Sequence, residues 1–380
     1  MLSRTTLTCA PGRFAQNGTS LVEAMIGMTI GLMLLATLSQ IFVSNNTFRR
    51  EMDRSSRLVE NASFAMERIS EDLRSAGYYA EFDIGGADLP LPQTKPDPCS
   101  ADVDALAAAL PLPIQGYDRG IGLPPSCISG DHAALKNHRA GSDILVVRRV
   151  DPCVAGPTAG AGCAAPIAGV PYFQASHCTW TAPYPAYELA GPSTGWFKLE
   201  KFVANLNMHN IDCNLNPGGA VADFHRYIVD IYFVSNDDVA GDGIPTLKRA
   251  RIDASGFTDA SVITLAEGIE NLQIEYGLDT SATPDGTADA FTADPDTYAG
   301  CGGAGSACSA TNWAETVAVK VYLLGRNTEP TAVGYINSKS FTLGLNADGG
   351  LNTIAPYNDK YKRHVYQASV RLYNAAGRNQ

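Results

Sequence analysis

The stretch from Gly18 to Val43, GTSLVEAMIGMTIGLMLLATLSQIFV, is almost continuously apolar and contains one charged residue, Glu23. From Ala24 to Phe48 no residue is charged, which is enough helix to cross the roughly 30 Å hydrocarbon core of a bilayer. No small-residue cleavage site follows in SNNTFRREM, so the pattern predicts a membrane span rather than a cleaved secretory signal. An ionised carboxylate in hydrocarbon costs roughly 2 to 3 kcal/mol, so Glu23 needs a physical reason to be there.

Helical periodicity continues beyond this stretch. Apolar residues recur at spacings of three and four, while charged residues fall on the other faces. The apolar positions are Leu58, Ala62, Ala65, Ile69, Leu73 and Ala76. Gly77 then supplies a C-terminal stop signal. The sequence therefore predicts one helix from about Thr19 to Ala76, apolar all round in its first half and amphipathic in its second half.

Composition limits the class of protein. The chain has 380 residues, of which 45% are hydrophobic and 18% charged, which is enough material for one large core or two modest ones. Its formal net charge is −11, its pI is near 5.0, and it contains no basic run. Because phosphate binding needs a basic face, these values argue against a nucleic-acid partner.

The nine cysteines are distributed unevenly: Cys9 precedes the apolar stretch and the other eight follow it. Those eight form no C-x-x-C motif and no His/Cys cluster, so they predict disulfides in an oxidising compartment rather than a zinc site. The disulfide candidates are Cys99, Cys127, Cys153, Cys163, Cys178, Cys213, Cys301 and Cys308. Eight cysteines allow 105 pairings. Joining nearest neighbours predicts the pairs 99–127, 153–163, 178–213 and 301–308.

The chain after Gly77 has the pattern of strands. Period-two alternation between Gly, Pro and Asp turns predicts six of them. They are Asp143 to Val150, Trp196 to Val203, Tyr227 to Val234, Leu272 to Tyr276, Val317 to Leu323, and Tyr366 to Leu372. Two Gly/Ala/Pro-rich stretches, Pro152 to Pro171 and Thr280 to Thr311, are predicted to be loops or insertions. An antiparallel sheet with one face on the long helix gives an α+β fold.

Sequence motifs for catalysis are weak. Gly191 to Gly195 matches G-x-S-x-G, but the following GWFKLEKFV continues as a strand, whereas a nucleophile elbow needs a helix there. His177 lies beside Cys178, which we expect to be oxidised. The chain has no H-E-x-x-H motif, no phosphate-binding loop and no dinucleotide fingerprint. We therefore expect no enzymatic activity.

Two acidic groups offer oxygen ligands. The first comprises Asp237, Asp238 and Asp242, and the second comprises Asp285, Asp289, Asp294 and Asp296. Neither has the spacing of an EF-hand, and Asp/Gly runs are typical of turns. The sequence predicts no cofactor and no metal, with calcium as the alternative.

The junction GTSLVE, Gly18 to Glu23, resembles the processing site of type IV prepilins: a short basic leader, Gly before the cut, and Glu as fifth residue of the mature chain. Further segments resemble the PilW family of minor pilins. They are LVENASFAMERISEDLRSAGYYAEF (58–82), LAEGIENLQIEYGLD (265–279), WAETVAVKVYLLGR (313–326) and RHVYQASVRLYN (363–374). Together these patches cover about a third of the chain, and the region from Asp83 to Pro217 carries no such resemblance.

The resemblance implies that a prepilin peptidase cleaves between Gly18 and Thr19 and methylates the new amine of Thr19. Most family members carry Phe at this position, so Thr19 departs from the pattern. The resemblance further implies a pilin-like fold and a role as structural subunit of the complex that initiates the pilus and sits at its tip. Before assembly the chain would be held in the bacterial inner membrane with its body in the periplasm. The implied partners are the prepilin peptidase, other minor pilins, the major pilin, a large PilY-type tip adhesin and inner-membrane lipid.

These expectations divide the chain into four segments. They are a leader (1–18), a membrane-spanning and filament-core helix (19–43), its amphipathic continuation (44–76), and a β-rich body (77–380). Two alternatives stay open: a minor pseudopilin of a type II secretion system, and a singly anchored surface adhesin or binding module that never leaves the membrane.

Two roles for Glu23 are compatible with the sequence. Ser20-x-x-Glu23 has the spacing of a capping box, and an acid in the first turn also suits the helix dipole. Alternatively, in a bundle of staggered helices, its carboxylate neutralises the cationic amine of a neighbouring Thr19 in a dry environment. Only the second role needs a partner subunit.

Overall fold

A long first helix, α1 (Leu21–Arg74), dominates the computed structural model of the chain. The structure describes residues 18, 20–82, 89–129, 134–156, 164–176, 197–210, 221–331 and 334–377. One compact unit comprises residues 1–53 and the other comprises residues 54–380. The helix ends where the sequence predicts, because Gly77 adopts the left-handed conformation (φ +73°) that terminates helices.

Within the described residues, four shorter helices accompany α1. They are α2 (Val103–Ala108), α3 (Pro125–Ile128), α4 (Ala307–Ala314) and α5 (Tyr373–Ala376). The first seven strands are β1 (Ile114–Tyr117), β2 (Ile144–Val154), β3 (Tyr172–Ala175), β4 (Phe197–Glu200), β5 (Phe224–Ser235), β6 (Thr246–Arg251) and β7 (Val262–Glu267). The remaining strands are β8 (Ile269–Leu278), β9 (Ala290–Thr292), β10 (Thr316–Arg326), β11 (Phe341–Leu345), β12 (Leu351–Ile354) and β13 (Arg363–Arg371).

The strands form two main antiparallel sheets and a hairpin. The four-stranded sheet has the order β13-β10-β8-β9, and β11 pairs with β12. The seven-stranded sheet follows the order β1-β2-β5-β3-β4, while β6 pairs with β5 and β7 pairs with β6. A long helix with antiparallel sheets confirms the predicted α+β class.

The carboxyl-terminal part of α1 packs on a core that it shares with both sheets. Ala62, Ala65, Ile69, Leu73 and Ala76 are completely buried, as their spacing predicts, and Leu58 is half-buried. The facing residues of β10 are Val317, Val319, Val321 and Leu323, which are also buried. This confirms the predicted apolar face of the helix.

The seven-stranded sheet is buried on both of its faces. On β2, Leu145 and Val147 face the core shared with α1, whereas Ile144 and Val146 face a second core. This second core is closed by α2 and by aromatic residues that follow α1, such as Tyr79. The region before Pro217, to which no resemblance could be assigned, thus supplies strands β1 to β4 and much of the second core.

Two predicted loops contain regular structure. β2 continues to Val154, inside the stretch Pro152 to Pro171, and both β9 and α4 lie wholly or partly within Thr280 to Thr311. α4 forms despite its small residues because Trp313 is buried in the core against Tyr276, with the ring centroids 4.7 Å apart. Packing with a distant strand therefore decides its conformation.

Candidate functional site

The first half of α1 exposes a continuous apolar surface. Every large apolar residue from Leu21 to Val43 has at least half of its surface exposed. They are Leu21, Val22, Met25, Ile26, Met28, Ile30, Leu32, Met33, Leu34, Leu35, Leu38, Ile41, Phe42 and Val43. Among the described residues, α1 is the one helix long and apolar enough to cross a membrane. Water-soluble monomers rarely expose so large an apolar patch, so this surface fits membrane anchoring.

Two threonine hydroxyls in this half of α1 form hydrogen bonds within the helix. Thr29 Oγ1 donates to the carbonyl of Ile26 at 2.9 Å, and Thr37 Oγ1 donates to Leu34 O at 2.9 Å. Because each hydroxyl bonds to its own helix, it needs no water and tolerates an apolar surrounding.

Glu23 caps the start of α1. Its Oε2 accepts the backbone N–H of Ser20 at 3.3 Å, which is the return hydrogen bond of a capping box. Gly18 is exposed, and a Cβ built on it would meet no heavy atom within 4 Å. Thr19 lies outside the described residues. The local role predicted for Glu23 is therefore present, while cleavage at Gly18, methylation of Thr19 and a pairing role for Glu23 stay predictions.

The acidic groups singled out in the sequence cap loops in the structure. Asp242 accepts backbone N–H groups of Asp238, Val239 and Ile244, and these bonds hold the pKa of its carboxyl below the ordinary value. Asp237 accepts the N–H of Gly241 at 2.9 Å.

The carboxylates of the second acidic group also accept hydrogen bonds from backbone N–H groups. Asp285 accepts the N–H of Thr287, Asp289 accepts the N–H of Thr280, and Asp294 accepts the N–H of Asp296. The contacts of Asp285 and Asp294 are those of Asx turns, whereas Asp289 joins the two ends of its loop. The absence of a cofactor stays a prediction.

Within the described part of the chain, Asp97, Cys99 and Cys127 form the one cluster with metal-ligand geometry. Cys99 and Cys127 are joined by a disulfide, so their sulfurs cannot act as thiolate ligands. Cys301 and Cys308 form a second disulfide. Both pairings confirm the nearest-neighbour prediction. Cys153 is also disulfide-bonded, whereas Cys163, Cys178 and Cys213 lie outside the described residues.

Neither sequence motif that resembles a catalytic site can be examined in the structure. The G-x-S-x-G motif and the pair His177 and Cys178 lie outside the described residues. His138 and His225 bond to the backbone carbonyls of Ser142 and Asp151, respectively, which are structural contacts.

Three clusters of buried charges were not anticipated from the sequence. In the first, Asp72 of α1 pairs with Arg149 of β2 at 3.1 Å and accepts a hydrogen bond from the hydroxyl of Tyr232. Burial, together with the negative charge of Asp72, raises the pKa of Tyr232. Asp72 thereby fixes α1 to the seven-stranded sheet.

The second cluster crosses the four-stranded sheet. Arg363 of β13 pairs with Glu270 of β8 at 2.5 Å and with Asp359 at 2.7 Å. In the third cluster, Lys95 Nζ lies 2.5 Å from Asp296 Oδ2, and Asp296 also accepts the indole N–H of Trp313 at 2.7 Å. Burial lowers the pKa of Lys95. Each cluster joins segments that are distant in sequence, so these charges act as structural ties.

In a comparison with family models, residues 231–374 match a family described as PilW, type IV pilus-assembly protein W. The match runs from within β5 to α5 and includes the whole four-stranded sheet. It contains the predicted PilW-like segments 265–279, 313–326 and 363–374, but neither the junction at Gly18 nor the segment 58–82. No curated protein and no solved structure matches the chain. Residues 231–374 of this chain are therefore similar to the PilW family of type IV pilus-assembly proteins.

Proposed function

We propose that the chain is a minor pilin, a low-copy structural subunit of the complex that initiates type IV pilus assembly and lies at the pilus tip. The match of residues 231–374 to PilW carries this proposal. The exposed apolar half of α1 supports it, because a subunit that moves from membrane to filament needs a helix compatible with lipid and with other helices. The disulfides support a periplasmic body.

In this proposal a prepilin peptidase removes residues 1–18 and methylates Thr19. Other minor pilins, the major pilin and a PilY-type tip adhesin then surround the subunit, and Glu23 neutralises the amine of a neighbour. The chain carries out no catalysis, and its buried charges serve the fold.

Intact mass spectrometry of the chain in its native host tests the proposal. Chain recovered from sheared surface filaments should lack residues 1–18 and carry one added methyl group at Thr19. A Gly18→Val variant should keep the leader and stay in the membrane, because the bulky side chain blocks the site of cleavage.

If the mature chain in filaments retains its first eighteen residues, the proposed processing is wrong. If only membranes contain the chain, it is a singly anchored binding module instead. Recovery from a secretion pseudopilus rather than a surface pilus would identify a type II secretion pseudopilin.

A further inference from the structure

Among the described residues, no strand pairs with the outer edge of β13, which is a long row of backbone groups. Leu372 N donates to Val317 O at 2.8 Å, and Asn327 N donates to Lys362 O at 3.0 Å. The backbone N–H and C=O groups of residues 362 and 372 therefore point toward β10. In an antiparallel pair, backbone groups alternate in direction along the strand. The odd-numbered residues therefore point their N–H and C=O away from β10. They are Arg363, Val365, Gln367, Ser369 and Arg371.

Within the described part of the chain, no hydrogen bond occupies these outward backbone groups. β13 has nine residues, which span about 30 Å at 3.3 Å per residue. Its register with β10 runs from Arg371 to Arg363 without a bulge. The edge thus presents a straight template for one more strand.

Other edges of the described sheets are shorter or interrupted. β9 has three residues, and β1 and β4 have four each. β7 has six, its pairing with β6 contains a register shift, and Glu267 O at its end accepts the side-chain amide of Asn61. Natural proteins protect edge strands with proline, lysine, bulges or covering segments. β13 contains no proline and no lysine, and its pairing with β10 has no bulge.

Apolar surface flanks the β13 edge on the side of α1. The side-chain amide of Asn61 in α1 donates to the carbonyl of Glu267, which lies beside β8. Val59 is two residues earlier, about 200° away around the helix, so it lies on the opposite flank, toward β13. Val59 is 49% exposed, and Met66, seven residues later on the same flank, packs against the core together with Tyr366 of β13. An added strand would cover Val59 and extend this core.

The opposite face of the sheet offers a second apolar contact. Val365 packs with Leu324 and Phe341 beside the β11-β12 hairpin. An added strand would therefore meet apolar side chains on both of its faces. Arg371, which is exposed, places a positive charge at one end of the edge.

We infer that the open edge of β13 accepts a β-strand from a different protein, in which apolar residues face Tyr366 and Val365 and an acidic residue lies opposite Arg371. Unpaired backbone groups specify an extended peptide, and the flanking side chains select its sequence. A second copy of this chain fits less well. Each copy carries a net charge of −11, so two copies repel one another.

Site-specific photocrosslinking in the native host tests this inference. Benzoylphenylalanine replaces Gln367 in one full-length variant and Ser369 in another; both positions are exposed. Mass spectrometry of the crosslinked peptides should identify one segment of one other protein. The crosslinked site should move by two residues in that segment when the probe moves by two, because strands in a ladder keep register. The readout does not require cleavage at Gly18, so it stays informative if the proposed processing fails.

Ile263 of β7 is the matched control, since it is an exposed residue on another edge strand. A probe there should give no adduct. In addition, Gln367→Pro should abolish the adduct at Ser369 without lowering the unfolding temperature, because the N–H it removes has no partner among the described residues. If Gln367→Pro does lower that temperature, the inference is judged only by whether the crosslinked site moves by two residues between the Gln367 and Ser369 probes.

Three results would overturn the inference: adducts to β13 of a second copy, adducts scattered without register or equally frequent at Ile263, and absence of adducts when the chain is present at its normal level.

Discussion

Asp72 and Arg149 form a buried ion pair, with Asp72 Oδ1 3.1 Å from a guanidinium nitrogen, and this pair joins α1 to the seven-stranded sheet. The two side chains are 3% and 12% exposed. Arg249 approaches the same carboxylate at 4.0 Å and Asp230 at 3.5 Å, so the pair belongs to a wider network. This network ties the carboxyl-terminal part of α1 to the seven-stranded sheet.

Replacing Asp72 with Ala should lower the free energy of unfolding by about 3 to 5 kcal/mol, since it leaves Arg149 buried without its partner. Urea unfolding of the full-length chain in detergent measures this loss. Glu71→Ala is the control: Glu71 is 62% exposed and pairs only with Arg68 of the same helix in the described structure, so the change should stay below about 1 kcal/mol. Equal losses in the two variants would show that the buried pair does not hold α1.

Close approach of α1 to β10 predicts that Gly325 accepts a larger side chain only when Leu58 moves. A Cβ at this position would lie 2.8 Å from Leu58 Cδ1 and 3.6 Å from Ala62 Cβ. Gly325→Val should therefore destabilise the fold by about 1 to 3 kcal/mol through overpacking. Gly302→Val should change stability by less than about 0.5 kcal/mol, because a Cβ at 302 would meet no atom closer than 3.9 Å. Thermal unfolding of both variants provides the comparison, and equal melting temperatures would refute tight helix packing.

Much of the fold could be predicted because local periodicity survives in the sequence. The buried face of α1 follows the three-and-four spacing of Ala62, Ala65 and Ile69, and all six predicted strands exist with shifted ends. The positions of β2 and β5 could be predicted from the sequence. Their burial on both faces could not be predicted, because it depends on which other segments cover them. Seven other strands of the described chain, β1, β3, β6, β7, β9, β11 and β12, were not predicted; they have three to six residues and carry few alternations. β4 is equally short, but the alternation around it extends over 196–203.

The candidate site also has features that the sequence could predict and features that it could not. Hydropathy indicated the apolar half of α1, and the Ser-x-x-Glu spacing indicated the cap that Glu23 forms. The partner of Asp72 could not be predicted, because Arg149 lies 77 residues away and any of several arginines would have fitted equally well. Likewise, the open edge of β13 becomes visible only once the strand order is known.

The two described disulfides should contribute unequally to stability. Cys99 and Cys127 are 28 residues apart, whereas Cys301 and Cys308 are 7 apart. In the loop-entropy description, the longer loop should contribute about 1.2 kcal/mol more. Denaturant unfolding of the paired variants C99S/C127S and C301S/C308S checks this order. A larger loss in the second pair would show that native contacts around α4, rather than loop entropy, dominate.

Acid sensitivity should depend in part on Asp359. Its hydrogen bonds with Arg363 hold the pKa of its carboxyl below the ordinary value of 3.8. Because the folded-state pKa is depressed, its contribution to stability is present above pH 3.8 and disappears as pH falls through the folded-state value. The difference in free energy of unfolding between wild type and Asp359→Asn should thus be constant at neutral pH and shrink below 3.8. Asp348→Asn serves as the control, and a difference that stays constant down to pH 2 would contradict the prediction.

Glu23→Gln separates the two roles of the carboxylate. A glutamine oxygen can still accept the N–H of Ser20, so the start of α1 should persist, but the variant has no charge to neutralise the amine of a neighbour. If pairing matters, the amount of chain in sheared filaments should fall on the order of tenfold or more relative to membranes, since unpaired buried charges cost several kcal/mol. Glu67→Gln, at an exposed position of the same helix, should assemble normally. Equal incorporation of Glu23→Gln and wild type would show that capping alone explains this acid.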